Sequence, residues 1–124
     1  MREGRPRTEC DPPRGRRRID PFAERLRQAR RELGADATLL RLSILLTVHA
    51  REGRSQNELL QRMEATSATA LSRNLADLSA WTSRKAPGPG FVELRTDPMN
   101  LRRKTVHLTE RGRAAVERIL APPE

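Results

Sequence analysis

Arg102, Arg103 and Lys104 stand side by side in the stretch DPMNLRRKTVHLT, residues 97–109. An Asp-Pro turn precedes them, and an alternating run, Thr105-Val106-His107-Leu108, follows. Three cations crowded on a turn repel one another, so either water solvates them or a negative partner docks there. A guanidinium forks onto phosphates and guanine edges, whereas an ammonium acts as a point charge. The chemistry on offer is therefore anion binding. Little else in the chain offers chemistry. His49 and His107 are the only histidines and Cys10 the only cysteine, which is too few for a metal site. His49 lies in an apolar run and reads as a core or helix-end residue, and His107 reads as the polar side of a strand. There is no Gly-rich phosphate loop, nucleophile elbow or close carboxylate pair. Neither an enzyme nor a cofactor is expected.

The whole chain leans the same way. Its 124 residues carry 25 Lys and Arg against 16 Asp and Glu, a net charge of +9. Only Lys85 and Lys104 are lysine, so nearly all the positive charge is arginine. Nucleic acid is the leading partner for such a balance and an anionic membrane surface the rival. The bland alternative is an arginine-rich genome whose proteins are all basic. The longest apolar stretch, Leu39–Ala50, is broken by Arg41, Ser43, Thr47 and His49, too polar and too short for a span. No apolar segment follows the basic N-terminus, so no signal peptide is expected. With its one cysteine, the chain is expected in the cytoplasm.

The cations need elements to position them. Residues 1–19, rich in Arg, Pro and Gly, read as a flexible basic arm, and residues 20–124 as one domain. Within the arm, Pro13-Arg14-Gly15-Arg16-Arg17-Arg18 resembles an AT-hook for the minor groove; a solvated basic tail is the other reading. Asp20 and Pro21 predict a helix start, with Phe22, Leu26, Ala29 and Leu33 on one stripe and Gly34 as its stop. Asp36 is expected to open a second helix, 37–51, apolar almost all round and so central. Ser55-Gln56-Asn57-Glu58 is a capping box opening a short helix. Thr66-Ser67 opens another, running to about Trp81. Two helices joined by a short turn outline a helix-turn-helix. On the second, Ala68, Leu71, Leu75 and Leu78 predict a buried stripe. At ~100° per residue Thr69 and Arg73 fall opposite it, flanked by Ser67 and Ser72. That small-residue face with one arginine suits close approach to a groove floor, whereas a protein-binding helix shows large apolar anchors. Residues 82–90, TSRKAPGPG, read as loop. Strands are expected at Phe91–Arg95 and Thr105–Leu108, then a last helix over 110–120 capped by Thr109.

Helices, a helix-turn-helix and a basic-tipped hairpin make a winged helix, a mainly α fold with a small β-hairpin wing. Gly90-Phe91-Val92-Glu93, Asp97-Pro98-x-Asn100-x-Arg102 and Val106-x-Leu108-Thr109-x-x-Gly112 together resemble the wing of the MarR (multiple antibiotic resistance regulator) family. Ser72-Arg73 with Leu75 and Leu78 is similar to its recognition helix, and the resemblance spans about residues 36–120. It implies a recognition helix in the major groove of double-stranded DNA, contacting through Ser67, Thr69, Ser72 and Arg73. It also implies Arg102 as a minor-groove finger supported by Asp97 and Asn100, with Arg95, Arg103 and Lys104 on phosphates.

The chain departs from the family pattern at three places. TSRKAPGPG is longer than the usual link, so Arg84 and Lys85 become candidate contacts beside Arg14, Arg16, Arg17 and Arg18 of the arm. The family dimerises through its terminal helices. Here Phe22, Leu26, Leu33, Val116, Ile119 and Leu120 either build a homodimer seam or pack within one subunit. With two Phe, one Trp and no Tyr, no small-molecule effector is expected. Two functions follow: a sequence-specific transcription regulator, expected to be a repressor, or a winged-helix interaction module of a replication, plasmid or phage assembly with generic DNA affinity.

Overall fold

The computed structural model describes residues 20–64 and 66–122. The order is α1 (Pro21–Leu33), α2 (Leu39–Ala50), α3 (Gln56–Gln61), α4 (Ala68–Leu78), β1 (Val92–Asp97), β2 (Asn100–Leu108) and α5 (Glu110–Leu120). This is a winged helix-turn-helix, mainly helical. No helix among the described residues is long and apolar enough to cross a membrane. The proposed arm, residues 1–19, lies outside the described residues.

Each helix starts where a side-chain oxygen satisfies a free backbone N–H. Asp20 accepts from the Phe22 N–H at 3.0 Å with Pro21 next to it, and Gly34, at φ 109°, ends α1. The second helix starts later than the expected Asp36. The Ala37 N–H bonds back to the Gly34 carbonyl, which leaves Asp36 inside a turn, and Thr38 caps instead. Nor is α2 buried all round. Ile44, Leu45 and Val48 are buried while Leu39 is 72% exposed, and His49 sits exposed at the helix end. The capping box forms as the spacing predicts, Ser55 and Glu58 each accepting from the other's N–H.

One core joins all the elements. Leu59 of α3, Leu71, Leu75 and Leu78 of α4, Phe91 with Val92, Val106 with Leu108, and Ala115, Val116 and Ile119 of α5 pack around α2 and Ala29 of α1. Ala68 does not belong to this stripe; at the first turn of α4 it is exposed. Burial of Val116 and Ile119 also removes them from the expected dimer seam, because α5 turns that face onto its own core. Phe22 and Leu120 stay exposed, with Leu26 and Leu33 half-buried.

The wing is antiparallel, Val92 opposite Leu108 through Thr96 opposite Lys104, and then the register slips so that Asp97 faces Asn100. Both strands run further than expected, and the turn shrinks to Pro98-Met99. Apolar alternation could not reveal these ends, since both faces are wet near the tip. The other edge of β2 is covered too. Gly53 N–H donates to the Val106 carbonyl, Val106 N–H to the Arg54 carbonyl, and Ser55 bridges Thr105.

At the base of the wing, Thr109 caps α5 by accepting from the Gly112 N–H, and its hydroxyl donates to the Gly90 carbonyl. Thr109 N–H donates to the Phe91 carbonyl at 3.0 Å. A Cβ on Gly112 would stand 2.0 Å from that same carbonyl oxygen. A second tie joins α1 to α5. Arg118 donates twice to the Glu32 carboxylate at 2.8 Å, and Gln28 donates at 2.7 Å. The hydrogen bonds from Arg118 hold the Glu32 carboxyl below its ordinary value.

Gly112→Ala is expected to destabilise by about 3 kcal/mol, the upper end of overpacking costs, because rigid backbone is the obstacle. A loss under about 1 kcal/mol in urea unfolding would show that α5 slides freely on Phe91. The depressed Glu32 contributes stability above its unfolded value, and that stability is lost as pH falls through its folded value. Glu32→Gln should therefore melt lower than wild type at about pH 7, and the gap should close toward about pH 3. Thermal melts across that range check this, and a gap constant with pH would refute it.

Candidate nucleic-acid interface

The exposed side of α4 presents Ala68, Thr69, Ser72, Arg73 and Ala76, which with Gln56 of α3 and Ser83 line an open concavity of about 520 Å³. Thr69 and Arg73 lie opposite the buried leucines, as the helical spacing predicts. Apart from Arg73 and Gln56 the walls are small, so a partner surface can come close to the helix backbone. Ser67 is the cap of α4; its oxygen accepts from the Ala70 N–H at 3.1 Å, which leaves its hydroxyl proton to donate outward. Asp77 faces away from this surface. One of its oxygens accepts from Arg41 Nη2 at 2.9 Å, the other from the Ser83 hydroxyl at 2.7 Å and the Ser83 N–H at 3.0 Å. Arg41 Nε also donates to Asn74 at 3.0 Å, so α2 grips α4 twice. Burial pushes the Asp77 carboxyl up, but Ser83, Arg41 and Arg84 together pull it below the ordinary value. It therefore stays charged near neutral pH.

The three cations of the wing separate. Arg102 is exposed and forms no ion pair among the described residues. Its backbone N–H donates to Asn100 Oδ1 at 3.1 Å, and Asp97 Oδ1 accepts from the Met99 N–H at 2.9 Å. These two short side chains fold the tip on itself. Lys104 is also exposed. It shares with Arg102, Arg103, Asn100 and the Ser55–Asn57 turn a polar concavity of about 490 Å³.

Arg103 differs from both. Its Nη1 donates to Asp97 at 2.9 Å and its Nη2 to Glu58 at 2.6 Å, and it is half-buried. Two expectations are corrected here. Arg103 is not an open phosphate contact, because two carboxylates already neutralise it. Asp97 supports Arg103 rather than Arg102, and only Asn100 supports the segment bearing Arg102, through its backbone. The clamp shows in the charges. The Met99 N–H and Arg103 hold Asp97 below its ordinary value, the Ser55 N–H and Arg103 do the same for Glu58, and Arg103 is raised by both acids. Glu58 thus has two jobs, closing the capping box of α3 and tying that helix to the wing. The capping spacing reveals the first job. Nothing in a one-dimensional pattern reveals the second, which joins residues 45 positions apart.

Arg95 pairs with Glu93 on its own strand at 2.5 Å, in the open. His107 lies off this face, its Nε2 2.8 Å from the Thr105 hydroxyl and its Nδ1 3.9 Å from Glu52, beyond hydrogen-bond reach; Glu52 accepts from Arg113 and from the Leu108 N–H. Among the described residues no group of three His, Cys, Asp or Glu is placed to hold a metal. Arg84 and Lys85 are exposed beyond the end of α4, and Arg84 lines a neighbouring concavity with Asp36, Arg41 and Asp77. Arg14, Arg16, Arg17 and Arg18 lie outside the described residues.

No protein-family model matches the chain, and no curated protein does. Solved structures do match. MarR is 30% identical, with 80% of this chain and 69% of that chain covered and a TM-score of 0.56. A MarR-family transcription regulator is 26% identical, with coverage of 81% and 58% and a TM-score of 0.61. A point mutant of S. aureus MepR bound to an oligodeoxyribonucleotide is 25% identical, with coverage of 78% and 66% and a TM-score of 0.57. The chain thus spans less than two thirds of the length of the last two. With its helices, wing and recognition-helix outline matched, and at 30% identity across 69% of MarR, the chain belongs to the MarR family.

Proposed function

We propose that the chain is a sequence-specific double-stranded-DNA-binding transcription regulator, a cytoplasmic repressor that works as a homodimer. One observation carries this reading. An exposed recognition helix with a shallow small-residue face stands beside a wing tip bearing two cations, Arg102 and Lys104, that no acid of the described residues neutralises. The family likeness and the oligodeoxyribonucleotide held by the MepR mutant support it. In this reading α4 lies in the major groove. Arg73 and Thr69 reach base edges, and Ser67 and Ser72 donate to phosphates. Arg102 enters the adjoining minor groove. Lys104 grips phosphate, and Arg95 joins it once the exposed Glu93 pair opens, which costs little. Arg103 acts as a strut that fixes the angle between wing and α3. The dimer seam is expected around Phe22, Leu39 and Leu120, beside the shallow apolar groove lined by Leu26, Leu33 and Leu42.

Selection of bound duplexes from a random-sequence pool tests this function. The expected product is a palindromic consensus with half-sites about one helical turn apart. Failure to enrich any sequence would overturn the reading in favour of an interaction module with generic affinity.

Single substitutions separate the roles within the wing. Arg102→Ala should weaken binding to the selected duplex about 10- to 100-fold and relax preference at minor-groove positions, with the melting temperature unchanged. Lys104→Ala should weaken selected and unselected duplexes by the same factor. Arg103→Ala should lower the melting temperature as well as affinity, because it leaves Asp97 without its cation and Glu58 with only Arg54 at 3.9 Å. Equal melting temperatures for the Arg102 and Arg103 variants would contradict the strut.

A further inference from the structure

The segment after α4 is not the plain loop that TSRKAPGPG suggests. Helix α4 ends at Leu78, three residues short of the expected Trp81, and the chain at once doubles back on itself. Gly90 N–H donates to the Ser79 carbonyl, Gly88 N–H to Ala80, Thr82 N–H to Ala86, and Trp81 bridges Pro87. Phe91 N–H closes the base on the Leu78 carbonyl at 2.7 Å. The strands of this hairpin lie so close that a Cβ on Gly88 would stand 2.3 Å from the Ser79 carbonyl oxygen. Lys85 turns the tip at φ 59°. Such a left-handed turn at a lysine costs energy that the ladder of bonds below it must offset.

The hairpin is also fixed to the recognition helix. Asp77 takes the Ser83 hydroxyl and N–H on one oxygen while Arg41 holds the other. Ser83 thereby becomes part of the wall of the concavity that holds Ser72 and Arg73. The next two residues, Arg84 and Lys85, are exposed, and no acid stands between Thr82 and Gly90. Arg84 shares a neighbouring concavity with Asp36, Arg41 and Asp77 and helps hold the Asp77 carboxyl down, but the Asp77 oxygens are bonded to Arg41 and Ser83, and neither Arg84 nor Lys85 has an acid at ion-pair distance among the described residues. A bonded hairpin therefore carries two exposed cations, neither in an ion pair among the described residues, next to Ser83 at the edge of the proposed DNA-facing surface, at the C-terminal end of α4.

We infer that the 79–90 hairpin is a third DNA-contacting element, in which Arg84 and Lys85 grip the phosphodiester backbone flanking the major groove that α4 occupies. The inference rests on the functional reading above. It gives each subunit two phosphate grips, the wing tip tied to α3 and the hairpin at the C-terminal end of α4. Such contacts fix position without reading sequence, so they add affinity and salt dependence rather than preference.

The test uses the full chain with a duplex recovered by pool selection and with an unselected mixed-sequence duplex. Each neutralised phosphate contributes about 0.9 to the slope of log K against log salt. The double variant Arg84→Gln, Lys85→Gln should reduce that slope by about 1–2 per subunit on both duplexes, with the selected sequence unchanged. A Lys85→Cys variant in a Cys10→Ser background, carrying a tethered hydroxyl-radical source, should cut the selected duplex just outside the α4 footprint. If cations here serve only to complement Asp77 and the C-terminal end of α4, the double variant melts lower and its slope is that of wild type. That result, or a tethered variant that binds without cutting, overturns the inference while leaving the functional reading standing. A wild-type chain that enriches no duplex overturns both.

Discussion

The contact of α5 on the backbone of Phe91 is the constraint on which the DNA-facing end depends. A two-stranded ribbon alone is marginal in water, and its tip is exposed on both faces, Met99 and Leu101 included, so it has no core of its own. Here the first turn of α5 presses Gly112 onto the Phe91 carbonyl, and Thr109 closes β2 against Gly90 and Phe91. The base of the ribbon therefore belongs to the core through Phe91, Val92, Val106 and Leu108. The tip projects from a fixed root. The Leu-Thr-x-x-Gly spacing that resembles a family signature is thus architectural: the threonine is a cap and lock, and the glycine is required by contact rather than by its dihedral angle.

Charge does two separate jobs on this surface. Arg41, Arg103, Arg113 and Arg118 are spent inside the molecule, each against a carboxylate on another element. Arg73, Arg102 and Lys104 are exposed. The net charge of +9 counts both kinds alike, yet only the second kind is available to release counterions from a polyanion. Adjacent residues of β2 fall on opposite sides of this division. Strand alternation turns Arg103 toward α3 while Arg102 and Lys104 face outward.

How much of this is legible in the sequence follows from the range of the interactions. Caps, stops and helical stripes are local, and Asp20, Gly34, Ser55, Ser67 and Thr109 all sit where their types place them. The exposure of Thr69 and Arg73 follows from helical period alone. Asp36 fails as a cap because a turn consumes it, and Ala68 fails as a core residue because the first turn of α4 reaches past the core. The clamp on Arg103 and the Arg41–Asp77–Ser83 chain are tertiary, so no spacing announces them. Nor does composition distinguish an ordered hairpin from a loop in TSRKAPGPG. Gly and Pro there serve close strand approach as well as turns.

These hidden ties have a common effect. Glu58 and Asp97 fix the wing to α3 through Arg103. Arg41 and Ser83 fix the end of α4 to α2 and to the hairpin through Asp77. Association is costly when loops must be ordered at the moment of contact. A surface whose helix, wing and hairpin are already locked avoids much of that cost. The same ties hold carboxylates by hydrogen bonds on the inner side of the interface, and leave Arg73, Arg102 and Lys104 without an ion pair among the described residues. Rigidity and positive potential therefore come from one arrangement. Removing Asp97 or Asp77 would raise the net positive charge and still be expected to weaken duplex binding, because the geometry that aims the free cations would go with it.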